Sequence, residues 1–128
     1  MEVTTQEQNK RQEILNSLPY FTGTENYYEH RMFGGGKLLL TDGVKYISET
    51  AESFWLLDCI ASYQGKLRNY TGMQVWTLQR KNDCEFFLEC SDGNSNRLVY
   101  QKIPFSDFCL SSITYWLCEG VLMLKSEY

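Results

Sequence analysis

The stretch Thr50-Ala51-Glu52-Ser53-Phe54-Trp55-Leu56-Leu57-Asp58-Cys59-Ile60-Ala61-Ser62-Tyr63 decides how the rest of the chain is read. Thr50 can cap a helix, and Glu49 and Glu52 stand near the positive end of its dipole. Ala51, Phe54, Trp55, Leu57, Cys59, Ile60, Ala61 and Tyr63 then cover most of the circumference. A helix apolar nearly all round is a buried one. Gly65 is placed to stop it. Such a helix needs a layer to lie on, and the residues that follow read as strands.

Met73 to Arg80 and Glu85 to Cys90 flank the turn Lys81-Asn82-Asp83-Cys84. The loop Asp92-Gly93-Asn94-Ser95-Asn96 leads to Arg97–Ile103, which Pro104 ends. Ile113 to Cys118 and Val121 to Leu124 flank the hairpin dipeptide Glu119-Gly120. Within Glu85–Cys90 the charged Glu85 and Glu89 share a face with Phe87, so Phe86, Leu88 and Cys90 form the core face.

Upstream, Lys37-Leu38-Leu39-Leu40 reads as a strand and Asp42-Gly43 as a tight turn. Val44, Tyr46 and Ile47 continue as a return strand or lead into a helix. Between Tyr20 and Met32 two signals compete. Thr22 and Glu25 have capping-box spacing, whereas Tyr28, His30 and Met32 alternate as a strand would. Gly34-Gly35-Gly36 breaks any regular element. The polar segment Thr5–Leu18 reads as a short helix, with Thr4 and Glu7, or Thr5 and Gln8, at capping-box spacing. Only Ile14, Leu15 and Leu18 give it an apolar stripe, and Pro19 stops it. The sum is one α+β domain over residues 1–128: an antiparallel β-sheet of about five to seven strands with a buried central helix. Residues 1–19 form a peripheral N-terminal helix and residues 20–128 the core.

Sixteen acids against twelve bases give a formal charge of -4, which disfavours generic nucleic-acid binding. That charge is also too mild for an acidic decoy of DNA. Cys59, Cys84, Cys90, Cys109 and Cys118 are odd in number and hold no CxxC pair, so they read as free thiols of a reducing cytosol. With His30 the sole imidazole, no metal site is expected. No apolar run approaches the roughly 20 residues of a bilayer span, so no membrane partner is expected either.

Candidate chemistry is sparse. Gly34-Gly35-Gly36-Lys37 lacks the upstream Gly and the following Ser or Thr of a phosphate loop, since Arg31 and Leu38 stand there. Asp92-Gly93-Asn94-Ser95-Asn96 begins like a calcium loop, but Arg97 and Ile103 replace the turn Gly and the closing Glu. His30 has no orienting carboxylate beyond its neighbour Glu29, and reads as structural. Asp58 interrupts the apolar run Phe54-Trp55-Leu56-Leu57, so it needs a partner: Lys45, Arg68 or a Tyr hydroxyl. No catalytic residue and no cofactor is assigned. The candidate binding residues are Lys45, Tyr46, Trp55 and Asp58, with Arg80 and Lys81 as the densest basic pair of the strand region.

Tyr27-Tyr28-Glu29-His30, Thr41-Asp42-Gly43-Val44-Lys45-Tyr46 and Trp55-Leu56-Leu57-Asp58 resemble a small domain-of-unknown-function family found in bacteria, plasmids and phages. Gln101-Lys102-Ile103-Pro104 and Gly120-Val121-Leu122-Met123-Leu124 extend the resemblance, which covers roughly Phe21 to the C-terminus. Two positions depart from it: Gly34-Gly35-Gly36 looks like an insertion, and Lys125 stands where a Pro is expected. The family brings no activity. It implies a small accessory protein associated with mobile elements, which together with the free thiols gives the cytoplasm of a bacterial host cell as the expected location.

The leading expectation is therefore a non-enzymatic module that binds a protein, such as a host or defence-system protein it inhibits. Its many Tyr and Trp residues suit an interface, although an aromatic core explains them equally well. A second reading is a small-molecule domain or small enzyme with a pocket beside Asp58, Lys45 and Tyr46. A third is a nucleic-acid accessory protein that stacks bases near Arg80 and Lys81. Edge strands of so small a sheet can pair across a homodimer, but nothing in the sequence forces one.

Overall fold

The computed structural model describes residues 5–31 and 37–128. Thr4, Met32 and Gly34-Gly35-Gly36, on which parts of the reading above rest, lie outside them. The elements run α1 (Thr5–Ser17), β1 (Tyr28–Arg31), β2 (Lys37–Leu40), α2 (Asp42–Thr50), α3 (Phe54–Ser62), β3 (Gln74–Arg80), β4 (Phe86–Ser91), β5 (Arg97–Ile103), β6 (Ser112–Cys118) and β7 (Val121–Met123). The seven strands form one sheet in the order β1-β2-β7-β6-β3-β4-β5. Every pairing is antiparallel except β2 with β7, where Leu39 stands beside Val121 and Leu40 beside Leu122 in parallel.

The strands carry the expected alternation. Phe86, Leu88 and Cys90 of β4 are buried, as are Trp76 and Leu78 of β3 and Ile113, Tyr115 and Leu117 of β6. These side chains point to one face of the sheet, where α1, α2 and α3 bring Ile14, Val44, Ile47, Leu56, Leu57 and Ile60 against them. The opposite face carries no α-helix among the described residues. The hairpin between β6 and β7 turns on Glu119 and Gly120, with φ of 50° and 80°. Those values suit the primed turns whose twist matches paired strands.

Two expectations about the helices are corrected. Asp42-Gly43 is the first turn of α2 and not a hairpin turn. Thr41 caps that helix, its hydroxyl accepting the Val44 amide at 3.5 Å. The run from Thr50 to Tyr63 is also not one helix, because Thr50 ends α2. Ala51 N–H bonds the Ile47 carbonyl, Glu52 takes a φ of 53°, and Ser53 N–H turns back to the Ser48 carbonyl at 2.9 Å. The left-handed residue redirects the chain, so α3 starts afresh at Phe54.

α3 is correspondingly buried on one side only. Leu56, Leu57, Ile60 and Ala61 face the core, whereas Phe54, Asp58 and Ser62, spaced by one turn each, are exposed. Ser17 ends α1, and Leu18, Pro19 and Tyr20 form a 3-10 turn, in whose first positions Pro19, lacking an N–H, is tolerated.

Candidate functional site

Thr41-Asp42-Gly43 is a densely hydrogen-bonded segment among the described residues. The C-terminal 3-10 turn Lys125–Glu127 swings the Glu127 carboxylate under the start of α2. There it accepts the Thr41 hydroxyl at 2.6 Å, the Gly43 amide at 3.0 Å and the Leu124 amide at 3.1 Å. A carboxylate at a helix N-terminus meets unpaired N–H groups and the positive end of the dipole. Gly43 is required by the approach: a Cβ there would lie 2.6 Å from Leu124 Cδ1 and 2.7 Å from Glu127 Oε1.

Asp42 faces the other way. Its carboxylate accepts the Glu25 amide at 2.9 Å and the Tyr28 hydroxyl at 3.0 Å, and its own amide bonds the Thr24 hydroxyl. These bonds, the Glu25 amide foremost, hold its pKa below the usual carboxylate value. The motif that carries much of the family resemblance is thus a junction that ties both flanking segments to α2.

The sequence-derived candidates fall in separate places. Lys45 reaches Glu49 at 3.7 Å and lies 5.2 Å from the Tyr28 ring centroid. The Tyr46 hydroxyl bonds Ser17 Oγ at 3.1 Å, and its ring packs on Phe21. Asp58 is paired with none of the partners expected for it. Its side chain is 58% exposed and lies 2.8 Å from His30 Nε2 across the gap between α3 and β1. The His30 ring in turn stacks on Phe54. No hydrogen bond or ion pair joins Asp58 to Lys45 or Tyr46 among the described residues. Trp55 is half-buried and lines a cleft of about 250 Å³ with Phe105 and Ile103.

Arg80 is turned to structure. Its guanidinium donates to the carbonyls of Asp83, Phe108 and Leu110 and lies 4.6 Å over the Phe86 ring, so it ties the loop before β6 to the end of β3. Lys81 is exposed in the following turn. Among the described residues no group of three or more His, Cys, Asp or Glu side chains could hold a metal, and no helix is long and apolar enough to cross a membrane. All five cysteines are free; Cys90 and Cys109 are buried and the other three half-buried. Burial pushes the Cys90 thiol up to about 12 and raises Cys59 and Cys109 as well, which makes these thiols poor nucleophiles.

The surface that local sequence reading missed is the uncovered face of the sheet. Strand register sets Leu39, Val121, Met123, Trp116 and Val75 on neighbouring positions there, all half-buried; among the described residues no α-helix lies above them, and Lys125 and Tyr128 of the C-terminal turn reach Trp116. Beyond Val75 the face carries Thr77 and Thr114, then Phe87, Glu89, Tyr100 and Lys102. One signal of it was available: Val121-Leu122-Met123 and Tyr115-Trp116-Leu117-Cys118 are apolar on both faces, where a strand with one solvated face alternates.

Comparison with known proteins adds a family and no activity. No curated protein and no solved structure matches the chain. The sequence model of DUF6876 matches residues 12–128, so it takes in the second half of α1 as well as the segment from Phe21 onward. The chain belongs to DUF6876, a family of unknown function.

Proposed function

We propose that the protein is a non-enzymatic binding module whose docking surface for another protein is the uncovered face of the sheet. One observation carries this reading: among the described residues α1, α2 and α3 lie on one face, while the other presents a contiguous band of Leu39, Val121, Met123, Trp116 and Val75. A sheet face meant only for water alternates into polar residues, and a contiguous apolar patch rimmed by charge is the usual mark of an interaction site. Trp and Tyr at such a face supply large contact area at little conformational cost. The occupant in this reading is a host or defence-system protein of a bacterial cell, inhibited by an accessory protein of phage or plasmid type. That finer part rests on the family resemblance.

The test is affinity capture of the tagged chain from bacterial lysate, with and without nuclease, beside a Thr114→Arg variant. Thr114 stands mid-face, bonded to Thr77 across β3 and β6 at 3.2 Å, so a long cation there obstructs docking without entering the core. A stoichiometric, nuclease-resistant protein lost in the variant supports the proposal. Equal recovery by the variant removes the face from the function, and recovery abolished by nuclease replaces the reading with nucleic-acid binding.

A further inference from the structure

Resting on that reading, we infer that the partner offers this face an acidic, extended segment, seated between two clusters in which a cation lies on an aromatic ring. Charge on this face favours an acidic partner. The uncovered face itself, together with Lys125, presents five bases, Arg31, Lys37, Arg97, Lys102 and Lys125, against two acids, Glu29 and Glu89; Arg80 of β3 stands on the core-face register opposite Phe86. The chain as a whole has twelve bases and sixteen acids. The uncovered face is therefore basic on an acidic protein.

Both of those acids already have cations. Glu29 lies 3.0 Å from Arg31 and 3.4 Å from Lys37, and Glu89 lies 2.8 Å from Arg97. The turn acids at the ends of the face are also engaged, Glu85 by the Asn82 amide and Asp92 by Asn94 and Asn96; Glu119 sits in the β6–β7 turn beyond it. Lys102 and Lys125 have no acidic partner among the described residues. They are the cations left for a ligand.

The cations of this face also stand on or beside aromatic rings. On β4 and β5, Phe87 and Tyr100 stack at 5.8 Å, Arg97 lies 4.7 Å over Tyr100, and Lys102 stands opposite Phe87 in register. On β6, Trp116 meets Tyr128 edge-on at 5.5 Å, and Lys125 lies 5.9 Å over the indole. Lys125, resting on a ring, has already given up part of its water, so pairing with a carboxylate costs it less desolvation; Lys102 stands beside the Phe87–Tyr100 stack, where Arg97 is already held by Glu89. Tyr100 and Trp116 stand on strands three positions apart in the sheet, about 14 Å at the usual strand spacing. Roughly four or five extended residues bridge that distance, with apolar side chains over Val75 and acids at the two ends.

A peptide fits better than a nucleic acid. The faces of Tyr100 and Trp116 carry their own cations, where a base would need a bare ring to stack upon. Glu29 and Glu89 also place carboxylates inside the face, which a run of phosphates would meet.

The experiment is selection of a random library of displayed peptides, about 12 residues long, against the full chain. Selected peptides are then titrated by amide NMR against the chain and a Lys102→Glu/Lys125→Glu variant. The expected result is enrichment of Asp and Glu, shifts centred on Tyr100, Lys102, Trp116 and Lys125, and binding at least about tenfold weaker in the variant. Peptides that bind this face without acidic enrichment overturn the inference and leave the docking surface standing. If no peptide perturbs the face, both fail. Displacement of the peptides by oligo-dT assigns the face to nucleic acid, and concentration-dependent self-association assigns it to a second copy of this chain; either result overturns the inference.

Discussion

Glu127 closes its carboxylate on Thr41, 86 residues earlier in the chain, with the hydroxyl donating at 2.6 Å in a fully buried contact. The same carboxylate receives Gly43 N–H, so the end of the described chain acts as the side-chain cap of α2. This places a long-range bond at the point where a helix starts, and it makes the C-terminal turn part of the fold and not a tail. Replacing Glu127 by Ala leaves the Thr41 hydroxyl and the Gly43 amide buried without an acceptor. The expected loss is about 2–4 kcal/mol in urea unfolding. Glu127→Gln, which keeps one acceptor oxygen, loses less.

Gly43→Ala tests the same contact from the other side. The added methyl meets Leu124 and Glu127 at distances that force the C-terminal turn away, for an expected loss of about 1–3 kcal/mol. Because both changes break one contact, the double variant Gly43→Ala/Glu127→Ala is expected to be more stable than the sum of the two losses implies. Strict additivity in a double-mutant cycle would show that the two residues do not act together.

Tyr115 sits under α2 with its hydroxyl wholly buried, and neither it nor the hydroxyls of Ser48 and Ser53 has a hydrogen-bond partner among the described residues. Burial is the chief cause that raises the phenol's pKa. A buried hydroxyl without a partner contributes desolvation cost and little else. Tyr115→Phe is therefore expected to leave stability within about 0.5 kcal/mol or to raise it. A loss above about 1.5 kcal/mol would show that the hydroxyl is bonded in solution.

The parts of the fold that local pattern controls were legible. Phe86, Leu88 and Cys90 alternate onto the core face, β5 spans Arg97–Ile103 up to Pro104, and Glu119-Gly120 makes the hairpin turn. What distant contacts control was not. Asp42-Gly43 is a turn dipeptide by composition, and only the cap from Thr41 and the bond from Glu127 make it a helix start. The apolar run hid the break at Glu52, since hydrophobicity continues across a joint made by backbone bonds alone. Asp58 found His30, which reaches it from a strand whose place in the sheet no local spacing encodes. The uncovered face escaped for the same reason, because Leu39 meets Val121 only through the parallel pairing of β2 with β7.

The thiols offer a direct check on burial. Cys90 and Cys109 lie in the core with their pKa raised by desolvation, and Cys59 is half-buried with its pKa raised by burial and by Asp58. Alkylation of native protein at pH 8 is expected to modify Cys84 and Cys118 first, Cys59 more slowly, and Cys90 and Cys109 only on unfolding. Peptide mapping after timed iodoacetamide treatment reads the order. Early loss of Cys90 would place β4 away from the core.

Acid stability turns on Asp42 in the same way that the C-terminal turn rests on Glu127. Its folded pKa is lowered, first by the Glu25 amide and then by the Tyr28 and Thr24 bonds. A depressed carboxylate stabilises the fold fully above its unfolded value, near 3.9, and that stabilisation is lost as the pH falls through the lower folded value. Asp92, held down by Asn96 and Asn94, adds to the same window. Stability is therefore expected to climb with pH up to about 4 and then level off as far as these two groups are concerned. In Asp42→Asn the slope below pH 4 is expected to flatten, with β1 and the segment around Glu25 losing amide protection first, because Asp42 is what holds them to α2. An unchanged acid slope in urea melts at stepped pH would remove Asp42 from that role.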